Sequence, residues 1–289
     1  MGNELTLDKC LLRRSFERAA AGYDAAAVLQ HEVCRRMVSR LDYVKHRPTA
    51  ILDAGSGSGN VVAALRTRYP HAMLCALDIA LSMVRLARVR ARWWQRLLGR
   101  GVLPVCADIE QLPLHTAAVD MVWSNLALQW INDPQRVFTE FRRVLKPGGL
   151  LMFSTFGPDT LKELRAAYQG IDRYTHVHRF IDMHDLGDAL VHAGFADPVM
   201  DMEYITLTYA DVRALMRDLK AIGAHNMTAG RRPGMTARAT LIAVERNYEA
   251  WRRDGKLPAT FEVVYGHAWV APPRVTADGK PIIPIKIQG

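Results

Sequence analysis

Residues 51–60, Ile51-Leu52-Asp53-Ala54-Gly55-Ser56-Gly57-Ser58-Gly59-Asn60, decide how the rest of the chain is read. An apolar run ends in an acid, glycines follow at alternate positions, and Val61-Val62-Ala63-Ala64-Leu65 then begins a helical pattern. The unit is a strand, a tight turn and a helix. Glycines at 55, 57 and 59 permit positive φ and let a ligand approach bare backbone. The dinucleotide fingerprint G-x-G-x-x-G would put its third glycine at position 60, where Asn60 stands. An acid two residues before the first glycine, Asp53, also suits a cationic ligand better than a pyrophosphate. The competing reading is an ordinary glycine turn between a strand and a helix.

The pattern [DE]-x-G-x-G-x-G formed by Asp53, Gly55, Gly57 and Gly59 resembles the first motif of the class I S-adenosylmethionine-dependent methyltransferases. Outward from it, Ala72 to Asp78 reads as a buried second strand ending in an acid nineteen residues past Gly59. A carboxylate at that strand end can accept hydrogen bonds from both ribose hydroxyls of a nucleoside, and Ile79 follows it. Val102 to Ile109 is the third strand and its exit. The resemblance implies that Asp108 and Ile109 meet adenine there. Val119 to Asn125 is the fourth strand, and Asn125, Leu126, Gln129 and Trp130 stand at its carboxyl end, where open α/β sheets bind ligands. A helix from about Pro134 to Leu145 stops at Lys146-Pro147-Gly148-Gly149, and Leu150 to Phe156 is the fifth strand. Strands alternating with helices make a parallel α/β sheet.

At 289 residues, 49% of them hydrophobic, the chain has enough apolar material for a large core. No run of about eighteen apolar residues exists, and Lys9, Arg13, Arg14, Glu17 and Arg18 break the first thirty residues, so neither a membrane span nor a signal peptide is expected. A cytoplasmic protein is the expectation. Cys10, Cys34, Cys75 and Cys106 are scattered, which points to neither a metal site nor disulfides, and Cys75 and Cys106 read as buried thiols within apolar runs. His176, His178 and His184 resemble a metal cluster only in composition and are expected in a loop. The net charge of +9 asks for an acidic partner, and Arg85, Arg88, Arg90, Arg92, Arg96 and Arg100 fall within sixteen residues that hold no acid.

Residues 1–45 are expected to form a helical arm, broken at Ala21-Gly22-Tyr23-Asp24, with Asp24 capping the second part. Residues 46–208 form the α/β core, including a strand from Asp197 to Leu207. Two helical patterns, Tyr209 to Ile222 and Thr236 to Arg252, then make 209–258 a helical insertion that reads as a lid. Residues 259–289 hold the final strand, Phe261 to Trp269, and a proline-bearing tail expected to be extended or mobile.

Arg14-Ser15-Phe16-Glu17-Arg18-Ala19-Ala20-Ala21-Gly22-Tyr23-Asp24, Trp123 to Trp130, and Leu219-Lys220-Ala221-Ile222-Gly223-Ala224 resemble malonyl-acyl carrier protein O-methyltransferase of biotin synthesis. The resemblance spans most of the chain. It implies a Rossmann-like seven-stranded methyltransferase sheet with its last strand antiparallel, S-adenosylmethionine as cofactor, and an acidic acyl carrier protein bearing a malonyl thioester as partner. A rival stands in the same superfamily. Phe156 to Arg165 and Pro258 to Tyr265 also resemble the complex I assembly protein that hydroxylates an arginine, from which the Tyr23-Asp24 pair separates this chain. The chemistry implied is displacement of a sulfonium methyl by a malonyl carboxylate, which is already ionised near neutral pH and needs no general base. Tyr23 is the first candidate for orienting substrate, with Asp24 supporting it, and Arg179, Lys220 and Arg231 are candidate contacts to the carboxylate or the phosphopantetheine. The arginine-rich helix is a candidate docking patch. A nucleic-acid methyltransferase is disfavoured, because Asn125-Leu126-Ala127-Leu128 stands where amino-methylating enzymes carry N-P-P-[YFW]. A noncatalytic protein that keeps a nucleoside pocket remains a different class of reading.

Overall fold

The computed structural model describes residues 6–90, 101–224, 226–228, 230–231 and 237–272. The arm comprises α1 (Lys9–Ala19), α2 (Tyr23–Ala26) and α3 (Val28–Arg40). Asp8 starts α1, accepting from the amides of Cys10 and Leu11. The break falls at Gly22 as expected, but Asp24 caps neither α2 nor α3. It lies inside α2, and its carboxylate is taken by Ser58 and Arg90.

The core then alternates β1 (Ala50–Ala54), α4 (Val62–Arg68), β2 (Met73–Asp78), α5 (Leu81–Arg90), β3 (Val102–Cys106), β4 (Val119–Asn125), α6 (Pro134–Val144), β5 (Leu145–Phe156), α7 (Lys162–Tyr168), α8 (Met183–His192), β6 (Ala196–Tyr209), α9 (Val212–Ala221), α10 (Arg238–Tyr248) and β7 (Leu257–Trp269). The seven strands form one sheet in the order β3-β2-β1-β4-β5-β7-β6. The first five run parallel, and β7 is antiparallel to both β5 and β6. Every residue of β1 is buried, as a central parallel strand covered on both faces requires. Ile51 packs with Met121 and Trp123 on one face, and Leu52 with Val122 and Phe138 on the other. The sheet order reverses between β1 and β4, and there the carboxyl ends of the strands leave a crevice.

Several expectations shift. The fifth strand begins at Leu145, pairing with Val119 ahead of the Gly148-Gly149 irregularity, because the chain extends directly out of α6. Cys106 is exposed, since β3 is an edge strand and only Cys75 lies inside the sheet. His184 sits in the first turn of α8 rather than in a loop. The arginine-rich helix is described as α5 up to Arg90, and Arg92, Arg96, Arg100 and the tail beyond Pro272 lie outside the described residues. Among the described residues no helix is long and apolar enough to cross a membrane.

Candidate active site

The turn after β1 carries Gly55, Gly57 and Gly59 at φ 78°, 51° and 81°. Their reasons differ. A Cβ on Gly55 would stand 2.3 Å from Cβ of Ala127, and one on Gly59 would stand 2.7 Å from Cα of Ala87 in α5. Gly55 and Gly59 therefore let the β4 loop and α5 close on the turn, whereas a Cβ on Gly57 would stand 3.8 Å from Tyr23 Cε1, with room to spare. The Gly57 amide donates to Asp78 Oδ2 at 2.9 Å, which ties the turn to the end of β2.

Around this turn lies a cavity lined by Tyr23, Gly55, Gly57, Asp78, Ile79, Asp108, Ile109, Asn125, Leu126, Gln129 and Trp130. A smaller hollow behind the turn is lined by Tyr23, Asp53, Gly55, Gly57 and Asn125. Thus all but Gly59 of the residues expected to hold a cofactor line one of the two. Asp53 is 2% exposed, and its Oδ2 is buried without a hydrogen-bond partner. Burial, reinforced by the nearby Asp78, pushes its carboxyl up to about 8. Asp78 is raised to about 6 by burial, against the amides of Ala80 and Gly57 that donate to it. Burial, with Asp78 and then Asp24 adding to it, raises the Tyr23 phenol, so its O–H stays protonated. These groups fit a cationic nucleoside. Asp53 lacks the donor that an α-amino group offers, Asp78 retains lone pairs toward a ribose, and the face of Gly57 is open to close approach.

Asn125, Leu126, Gln129 and Trp130 are set by the turn after β4. Leu126 takes φ 49°, its amide donates to Ser154, and Gln129 Nε2 donates to the Leu126 carbonyl at 2.6 Å. The ring of Trp130 lies edge-on to Phe16 of the arm at 5.6 Å and 5.9 Å from the ring of His178. A second, open groove of about 980 Å³ meets the first cavity here, and the two share Gln129, Trp130 and Ala224. Lys220 lines this groove, and Arg179 lines the neighbouring one. Arg231 is not brought to the site: its guanidinium turns back to the Thr228 carbonyl. Asp24 lines neither cavity and fastens α2 to Ser58 and Arg90.

The sequence reading missed Lys9, Phe16, Gln30, Ile222 and Ala224, all of which line the cofactor cavity. Lys9 pairs with Glu110 at 2.6 Å and Asp108 at 3.2 Å and donates to the Trp130 carbonyl. The apolar residues around Phe16, recurring at helical spacing, are a helix signal only. What each residue faces depends on how the arm folds across the sheet.

A seven-stranded sheet with a glycine turn after β1 and acids closing β2 and following β3 defines a class I methyltransferase. Residues 52–153 match the family described as Methyltransferase domain. The chain is 59% identical over 282 residues to the malonyl-[acyl-carrier protein] O-methyltransferase of Gallionella capsiferriformans (strain ES-2), covering 97% of each. It is 58% identical to the protein of the same name from Laribacter hongkongensis (strain HLHK9), covering 96% of this chain and 95% of that one. Among solved structures, a protein from Bacillus halodurans C-125 described as a methyltransferase shares the fold, with a TM-score of 0.56 at 17% identity over 81% of this chain and 97% of that one. This chain belongs to the malonyl-[acyl-carrier protein] O-methyltransferase family. It is an S-adenosylmethionine-dependent O-methyltransferase, and the resemblance to the arginine hydroxylase gives way to that membership.

Proposed function

We propose that the chain methylates the free carboxylate of a malonyl thioester borne by an acyl carrier protein, an early step of biotin synthesis. The observation that carries this reading is the shared wall at Gln129 and Trp130, where the cofactor cavity meets the open groove of about 980 Å³. When bound, S-adenosylmethionine supplies a methyl group on a sulfonium, poised for in-line displacement by a carboxylate oxygen. Asp53 would hold the α-amino group, Asp78 the ribose hydroxyls, and Asp108 with Ile109 the adenine, while Ile79, Asn125 and Leu126 close the cavity around the nucleoside. Lys9 would give up part of its hold on Asp108 as adenine arrives.

The work left to the protein is positioning and exclusion of water. Tyr23 keeps its proton and offers the reacting carboxylate a neutral donor, which orients it without quenching its charge. Trp130, braced between Phe16 and His178, walls the reacting atoms from solvent. Lys220, which lines the groove, would meet the pantetheine side of the substrate. No side chain need remove a proton, because the malonyl carboxyl is ionised near pH 7. The test is incubation with S-adenosylmethionine and malonyl-carrier protein, followed by mass spectrometry. One methyl ester should form per S-adenosylhomocysteine released, and absence of the ester would reject the reading. Tyr23→Phe should lower kcat by about tenfold or more while leaving affinity for S-adenosylhomocysteine nearly unchanged. A matching loss of that affinity would move Tyr23 from the substrate to the cofactor.

A further inference from the structure

The positive charge of this chain is unevenly spent. On α5, where the arginines are densest, Arg90 is paired with Asp24, and Arg88 is also engaged. Neither residue lines the groove that meets the cofactor cavity. That groove has a different character. Its inner end is apolar and aromatic, with Trp130, Phe156 and Met216, and among the described residues not one aspartate or glutamate lines it. Its exposed lining residues include Arg18 of α1 and Arg217 of α9, with Lys220 one turn along from Arg217. Neither arginine is in an ion pair among the described residues.

From this the geometry points to the docking surface of the carrier protein: the rim where α1 meets α9, with Arg18 and Arg217 as its exposed charges. The inference rests on the function proposed above and names the face through which the partner arrives. A carrier is acidic and delivers its acyl group on a long, flexible arm, so its binding face and the entry to the groove must coincide. Two unpaired guanidiniums beside an acid-free opening supply both the attraction and the direction. The apolar interior then takes the arm, and its end reaches the wall at Trp130. The two arginines lie on separate elements, and α1 and the chain after α9 are joined by Ser15 donating to the Gly223 carbonyl, so the rim is held as one surface.

The experiment compares Arg18→Glu/Arg217→Glu with the unaltered protein on two substrates, malonyl-carrier protein and the malonyl thioester of N-acetylcysteamine, which has neither carrier nor phosphate. At low salt, kcat/KM for the carrier substrate should fall by about tenfold or more, and added salt should erase the difference. Turnover of the small thioester and affinity for S-adenosylhomocysteine should stay unchanged, which also shows that the variant is folded. Arg18→Gln/Arg217→Gln should show the same selectivity to a smaller degree. Equal loss on both substrates, no loss on either, or a selective loss produced instead by Arg85→Glu/Arg88→Glu would overturn the assignment. If the unaltered protein methylates neither substrate, it is the proposed function that fails.

Discussion

Asp53 and Asp78 are two buried carboxyls in one small site, and burial raises both. For Asp53 the folded value of about 8 exceeds the ordinary value of about 3.9, so its contribution to stability is complete at low pH and drains away as pH climbs through that window. A cation bound beside it reverses the preference by favouring the ionised form. Affinity for S-adenosylhomocysteine, which carries the same α-amino group, should therefore increase from pH 6 to pH 8 with release of a proton. Calorimetry in buffers of different ionisation enthalpy measures that release, and Asp53→Asn should abolish it. A second prediction concerns Gly59, whose Cβ would meet the backbone of Ala87 at φ 81°. Gly59→Ala should cost about 2–4 kcal/mol in denaturant unfolding, more than its distance from the cavity would suggest. The acids at 53, 78 and 108 were legible because each ends or follows an apolar run, so its place at the sheet's edge is a local property. Lys9 was not legible, since its partners Asp108 and Glu110 are about a hundred residues away, and Arg231 misled because proximity to the lid pattern says nothing of where a guanidinium turns.

Among the elements, the arm and the segment after α9 behave as one cover. Leu7 bridges Thr228, the Asp8 amide donates to the Met227 carbonyl at 3.2 Å, and Ser15 donates to the Gly223 carbonyl at 3.2 Å. Phe16, Ile222 and Ala224 from the two pieces line the same cavity. We read residues 209–258 as a lid closing on the arm, so S-adenosylhomocysteine should slow amide hydrogen exchange in residues 7–16 and 222–228 together. Protection confined to β1 and β2 would argue against a joint cover. The strands were readable from runs of apolar residues; the caps were not, for Asp24, the cap expected, lies inside α2, while Asp8, Asp133, Asp182 and Asp211 each cap a helix. The start of β5 was not readable either, because Lys146-Pro147-Gly148-Gly149 carries turn chemistry yet Leu145 still pairs with Val119.

For the molecule as a whole, the cavity is lined from the arm, the ends of strands β1, β2, β3 and β4 and the chain after α9, so a nucleoside bound there should be felt globally. At a hundred times its Kd, S-adenosylhomocysteine should add about 2.7 kcal/mol of stability, or about 5–10 °C in Tm, readable by scanning calorimetry. A shift near zero would mean that the folded chain has no preferential affinity for the ligand. The five parallel strands were legible in the alternation of strand and helix, since each parallel step needs a covering crossover, whereas the seven-stranded order with its antiparallel β7 came only with the family resemblance. The pairing of arm with lid was not, because contacts over some two hundred residues leave no periodic trace. The position of β7 has a further effect on how the protein is made. It slots between β5 and β6, and 47 residues separate it from β6. While the ribosome is still translating that interval, β6 has no neighbour and β5 offers an open flank, so the nascent chain carries two adhesive edges. Only after Trp269 clears the exit tunnel can the gap be zipped shut. Chaperone demand should accordingly concentrate in the last fifth of synthesis, and stalled fragments ending near residue 250 should aggregate where the finished polypeptide does not.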